Sequence, residues 1–322
     1  MTTRLHEHTD TPQERAARPP ERAARRPKRP VRAQERTGRD RKDAWFSYAA
    51  VFPAMAVLLG FTVLPFLLSV RTSVQTSDGG LTLDQYERMV DDQVFHQVIQ
   101  NNLVFTLVTV PATIAVSLGL ALLVAQVVRG STLLRTAVLS PAVLPIVAAG
   151  SVWLYFYQPT FGPLNSLMAL VGLPERNWLG ETATALPAMM VVTVWQQAGL
   201  FVIFYLADLL SMDPQLREAS QIEGAGRWYH FRRVTWPTLM PTTLFVGVIA
   251  TANSFKQVDL VFVLTQGGPE NSTNLLLYYI WRSAFAQFRP DYAAAITVVL
   301  VLILLAVAVI QIRLLDKRIH YR

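Results

Sequence analysis

The chain has 322 residues, 52% of them hydrophobic and only 16% charged, with a formal net charge of +7; a soluble domain usually carries about a quarter charged residues. No cysteine is present, which excludes disulfides, iron–sulfur clusters and thiolate zinc sites, and the histidines at 6, 8, 96, 230 and 320 never fall at metal-ligand spacing within an expected helix. Residues 1–43 hold 13 basic and 7 acidic side chains, +6 of the total, so the basic excess is a property of one segment and no nucleic-acid partner is expected.

That first segment repeats Arg, Ala and Pro, as in Arg25-Arg26-Pro27-Lys28-Arg29-Pro30. It holds too little apolar surface to offset the entropy of ordering, so 1–43 is expected to be a disordered basic cytoplasmic tail. Residues 44–70 then run for 27 positions without a charge. As a helix this is about 40 Å long, enough to cross a hydrocarbon core of about 30 Å with tilt. Residues 71–96 gather Asp78, Asp84, Glu87, Asp91 and Asp92 against Arg71 and Arg88, which predicts a water-facing extracytoplasmic loop.

The second span is expected over about 97–128, with a kink at Pro111. The third runs over about 136–158, because Gly162, Pro163, Asn165 and Gly172 interrupt the second half of that uncharged stretch. The remainder, to Glu181, reads as an interfacial segment whose Trp178 suits the headgroup zone. Spans four, five and six are expected over about 184–206, 238–264 and 292–312, with 316–322 as a cytoplasmic tail. With the N-terminus inside, ten Lys/Arg of the inner loops and C-terminal tail face five in the outer loops, which places both termini in the cytoplasm. The fold class is therefore an all-α membrane protein of six transmembrane helices, in the cytoplasmic (plasma) membrane and in contact with membrane lipid.

The segment between spans four and five is polar. Asp213 followed by Pro214 is a helix start, Gly224 and Gly226 supply a stop and a turn, and a second helix resumes through Phe231 and Val234 until Pro237. Two short helices on the cytoplasmic face are expected. Within span five, Asn253, Ser254, Lys256, Gln257 and Asp259 form a costly density of polar groups at membrane depth. Lys256 and Asp259, at i and i+3, can neutralise one another on one helix face, so this cluster serves either helix packing or a solute path through Asn253, Lys256 and Gln257. Gln196 and Gln197 beside Trp195 in span four form a second candidate group, with interhelical hydrogen bonding as the alternative. Thr297 in span six is a weaker candidate, because Thr commonly bonds its own helix backbone. Asp208, at the inner end of span four, suits a cap or a headgroup contact better than a proton relay.

No lysine follows a glycine anywhere in the chain, so a nucleotide-binding P-loop is excluded. No Ser/His/Asp or carboxylate–metal arrangement falls at bilayer depth, so no enzyme activity and no catalytic residue is expected.

The order Glu218-Ala219-Ser220, three residues, Gly224, nine residues, then Val234-Thr235-Trp236-Pro237 resembles the EAA loop of bacterial ABC-importer permeases. The family's usual Ala, Ile and Leu are here Ser220, Val234 and Trp236. Further likeness, to the carbohydrate-uptake branch, lies in Leu264-Thr265-Gln266-Gly267-Gly268-Pro269, Asn177-Trp178-Leu179-Gly180, Trp195-Gln196 and Asp291-Tyr292-Ala293-Ala294-Ala295. The resemblance covers about 44–315 and is to the first permease of maltose- or glycerol-3-phosphate-type systems. It implies the type I ABC-importer (MetI-like) fold, with 97–315 as permease core and 213–237 as coupling loop. Glu218, Ala219, Ser220, Gly224 and Pro237 would then dock into an ATPase subunit. It also implies a second permease, two copies of the ATPase, which bind ATP and Mg, and an extracytoplasmic solute-binding protein. The chain itself would hold no cofactor and would pass a sugar or sugar-like solute. An ion-coupled secondary transporter or a channel using Asp208, Lys256 and Asp259 is the alternative, although no repeated halves are seen.

Overall fold

The computed structural model describes residues 50–75, 80–126, 131–222 and 224–316. The expectations for the tail 1–43, for residues 44–49 and 127–128 of the first two spans and for residues 317–322 lie outside these. The chain divides into two units, Met1–Leu58 and Leu59–Arg322. In the first, residues 50–58 are helical and exposed. The second holds the remaining helical segments.

Among the described residues, four helices are long and apolar enough to cross a membrane: Ala50–Ser73 (α1), Gln93–Gln126 (α3), Thr182–Ser211 (α7) and Pro290–Asp316 (α12). Shorter helices are Asp84–Asp91 (α2), Ser131–Val143 (α4), Ile146–Phe156 (α5), Pro163–Leu170 (α6), Pro214–Ile222 (α8), Arg227–Thr238 (α9), Met240–Phe255 (α10) and Leu276–Trp281 (α11). The bent pairs α4–α5 and α9–α10 bring the number of candidate spans to six. Among the described residues the only β-pairing is the bridge between Gln75 and Leu81.

Helix α3 organises the second unit. Asp92 caps it, its Oδ1 accepting from the Val94 and Phe95 N–H groups at 2.9 and 3.2 Å, and it continues through Pro111 without a break. Its 34 residues rise about 51 Å and cross three buried clusters. Phe95 and Val98 join Tyr279, Tyr292 and Ile296 at one end. Phe105 joins Met189, Val192, Leu260 and Val261 in the middle. Leu118 and Ala121 meet Phe201, Tyr205, Leu239 and Val246 at the other end. Helices α7 and α10 pack along α3, and α12 packs against Leu64–Ser73. Many large apolar side chains point away from these clusters, such as Leu107, Val191 and Leu305, as lipid or another apolar surface requires.

Two expected spans are corrected. The third, 136–158, is not one helix: α4 and α5 meet at 102°. Pro145 lacks a backbone donor and disfavours the α region for Leu144 before it, so the helix stops and restarts. The connector helix expected to run until Pro237 is the separate arm 227–238, at 64° to α10, with Pro237 and Pro241 each removing a donor around the break at Leu239. The fifth span, 238–264, is not one helix. Helix α10 itself ends at Phe255 with Lys256 as its C-cap, and a π-helical turn, Val261–Thr265, follows before Gln266 turns the chain at φ 52°. Lys256 and Asp259 therefore do not share a helix face, and both are exposed.

The segment expected to lie at the headgroups is held by the protein itself. Buried Asn165 donates to the carbonyls of Pro159 and Arg176 and accepts from Trp178 Nε1 at 2.8 Å.

Candidate functional site

The polar connector has the predicted form. Asp213 starts α8, with its Oδ1 accepting from the Gln215 N–H at 2.9 Å, and the helix runs to Ile222. Gly224 then adopts φ +74°. A Cβ there would meet no neighbour within 4 Å, so the demand for glycine comes from the backbone conformation alone. Glu218 is exposed, as is Pro237 in α9. Ser220 is buried, and its Oγ is hydrogen-bonded to His230 Nδ1 at 2.7 Å. This bond ties α8 to α9, and the sequence reading of Ser220 as a small docking residue did not anticipate it. The side chain of Ala219 lies outside the described residues. At the base of the element, Asp208 accepts from Thr242 and Tyr205 donates to Thr243. Asp208 thus holds α7 to α10 rather than capping the next turn.

The second group gathers where α10 ends. Ser254 lies 3.2 Å from Thr109 of α3, and Gln311 of α12 donates to Thr251 at 2.9 Å. Ser254 and Thr251 of span five are therefore spent between helices. Gln257 is different: it is 6% exposed and its Nε2 has no partner among the described residues. A buried unpaired donor is expensive unless water or a solute meets it. Asn253 is half-buried and Lys256 exposed beside it.

On α7, Gln196 donates to the Leu144 carbonyl at 3.2 Å. That carbonyl lies at the break between α4 and α5, where the helix no longer supplies a partner, so Gln196 completes the irregular backbone. Gln197 keeps a buried Oε1 without a partner among the described residues. Trp195 makes an edge contact with Trp153 at 5.7 Å, and Trp153 in turn lies 5.4 Å from Tyr157. This aromatic wall beside the glutamines was invisible in the sequence, because its parts come from α5 and α7. Thr297 donates to the Ala293 carbonyl of its own helix at 2.8 Å.

The sequence reading also missed Asn101, Asn102 and Asp92. Asn101 donates to the carbonyls of Asn271 and Asn274, and Asn102 Oδ1 accepts from the Leu276 N–H. Together they pin the 267–276 loop to α3. Asparagines in an otherwise apolar run were the available signal. Asp92 Oδ2 accepts from the hydroxyls of Tyr279 and Tyr292 at 2.5 and 2.6 Å. Partial burial pushes its pKa up, but these phenols and the α3 N–H groups outweigh it and hold the carboxyl below 3.8. Tyr279 moves the other way, raised by burial and by its bond to the carboxylate.

A model of the family of binding-protein-dependent transport system inner membrane components matches residues 101–321. A "probable ABC transporter permease protein" of Pyrococcus horikoshii is 32% identical over 220 residues, covering 68% of this chain and 75% of the relative. An sn-glycerol-3-phosphate transport system permease protein of Yersinia pestis is 30% identical over 287 residues, covering 87% and 97%. Among solved structures, a bacterial ABC transporter involved in import of the acidic polysaccharide alginate superposes with a TM-score of 0.76. It covers 87% of this chain and 98% of its own, at 23% identity, and so supports the fold alone.

Proposed function

The chain belongs to the family of binding-protein-dependent transport system inner membrane components, a transport family rather than an enzyme family, and on that footing we propose that it is the transmembrane permease subunit of an ABC importer for a sugar or sugar-like solute. ATP is hydrolysed by a partner subunit present in two copies. A second permease completes the path, and an extracytoplasmic solute-binding protein delivers the cargo. Both termini face the cytoplasm, following the distribution of basic residues.

The observation that carries this reading is the helix–Gly–helix element 213–237, with exposed Glu218 at its surface and Gly224 at its turn. Its base is bonded into α7 and α10 through Asp208–Thr242 and Tyr205–Thr243. A push on α8 by the ATPase is therefore transmitted to two spans as a rigid movement rather than lost in a flexible loop. The solute path takes Asn253, Lys256, Gln257 and Gln197, with Gln196 and Thr297 beside it. The unpaired amide atoms of Gln257 and Gln197 supply a donor and an acceptor for hydroxyl groups, and the Trp195–Trp153 wall supplies a flat face for C–H surface.

The test is reconstitution with the partner subunits. Gly224→Asp, Glu218→Lys or deletion of 217–224 is expected to leave membrane insertion intact and to abolish solute-stimulated ATP hydrolysis. Stimulation retained in all three would overturn the proposal.

A further inference from the structure

Helix α9 has two unlike faces. Phe231 and Trp236 pack on the cluster around Leu239, Phe201 and Tyr205, and Thr235 is buried with them. The opposite face carries Trp228 and Tyr229, 71% and 56% exposed, with Arg232 and Arg233, both exposed, one turn further on. Those four side chains line a surface cavity of about 370 Å³.

Two ring contacts help to position this face. Trp228 stacks on Phe231 with ring centres 5.7 Å apart, and the Arg233 guanidinium lies 5.8 Å from the centre of the Tyr229 ring. The helix that bears them makes an angle of 64° with α10, the apolar helix that follows. With α10 taken as crossing the bilayer, the 64° bend inclines α9 towards the membrane plane. Exposed indole and phenol rings are favoured at the membrane–water interface. A guanidinium pair beside them matches phosphate oxygens in charge and in planar donor geometry.

We propose that the Trp228–Tyr229–Arg232–Arg233 face of α9 is a binding site for the headgroup of an anionic phospholipid. The arginines take the phosphate, and the two rings lie against the glycerol and the upper acyl chain. The site would anchor α9 to the bilayer surface while α8 moves. It rests on the membrane-spanning character of α10 and not on the ATPase reading, so either can fail alone.

The full-length chain, purified in detergent, is titrated with short-chain phosphatidylglycerol and, separately, short-chain phosphatidylcholine. Binding is followed as the change in tryptophan emission that disappears in Trp228→Phe. The expected result is preferential binding of phosphatidylglycerol that weakens with salt. Arg232→Gln/Arg233→Gln should lower it about twenty-five-fold, roughly five-fold for each charge removed, with phosphatidylcholine binding unchanged. Arg232→Lys/Arg233→Lys, which keeps the charge, should retain most of the preference and shows that loss in the Gln pair is not misfolding. Equal affinity of wild type and the Gln pair for phosphatidylglycerol would overturn the proposal. So would loss of ATPase co-purification by the Gln pair without change in lipid binding, which would assign this face to a protein partner.

Discussion

Asp92 shows how one carboxylate can join three elements. It caps α3 with one oxygen and receives the hydroxyls of Tyr279 and Tyr292 with the other. Because its pKa is lowered on folding, the stability it contributes is complete above the ordinary value of 3.8 and is lost as pH falls through the lower folded value. Asp92→Asn should therefore lower the apparent melting temperature at neutral pH, by the equivalent of about 2 kcal/mol for charge-assisted hydrogen bonds, and flatten the acid limb. Melting in detergent from neutral pH down to about 3 checks both effects. Ser220 makes a second residue-scale case. The family's usual Ala would fill the space, but the hydroxyl adds the bond to His230. Ser220→Ala should leave insertion unchanged while amides of 214–222 exchange about five-fold faster, the effect of roughly 1 kcal/mol; unchanged protection would show that the bond does not hold α8.

At the scale of elements, the breaks matter more than the helices. Pro145 and the pair Pro237 and Pro241 were plain in the sequence, but whether a proline kinks, ends or merely interrupts a helix depends on who satisfies the freed carbonyl. Pro111 leaves α3 continuous. At Leu144 the helix ends instead, and Gln196 of α7 supplies the missing donor. The same two elements meet closely at Gly199, where an added Cβ would lie 3.1 Å from the Val138 carbonyl and 3.3 Å from the Ala142 nitrogen. Gly199→Val is expected to force α7 away from α4 and to cost about 1–3 kcal/mol, read as a lowered apparent melting temperature in detergent. An unchanged value would mean that α4 shifts freely.

For the molecule as a whole, the proposed solute path turns on a few groups at the end of α10. Lys256, exposed beside the buried Gln257, suits an anionic solute. On the proposed function, Lys256→Gln should weaken uptake of a phosphorylated or acidic cargo about ten-fold or more, as loss of a charge-assisted bond does, and leave a neutral sugar nearly unaffected. Transport assays with both cargo types decide it. The sequence by itself determined the all-helical class, the candidate spans and the helix–Gly–helix connector. These follow from local causes: long uncharged runs, capping side chains, and glycine and proline at turns. Only the tertiary structure decided that 136–158 is a bent pair and that the helix in 238–264 stops at Phe255, that Asp208 and Gln196 hold helices together, and that Asp92, Asn101 and Asn102 bind the 267–292 region to α3. Those outcomes depend on which distant group meets a given donor or acceptor, and partners 34 to 200 residues apart leave no periodic trace along the chain.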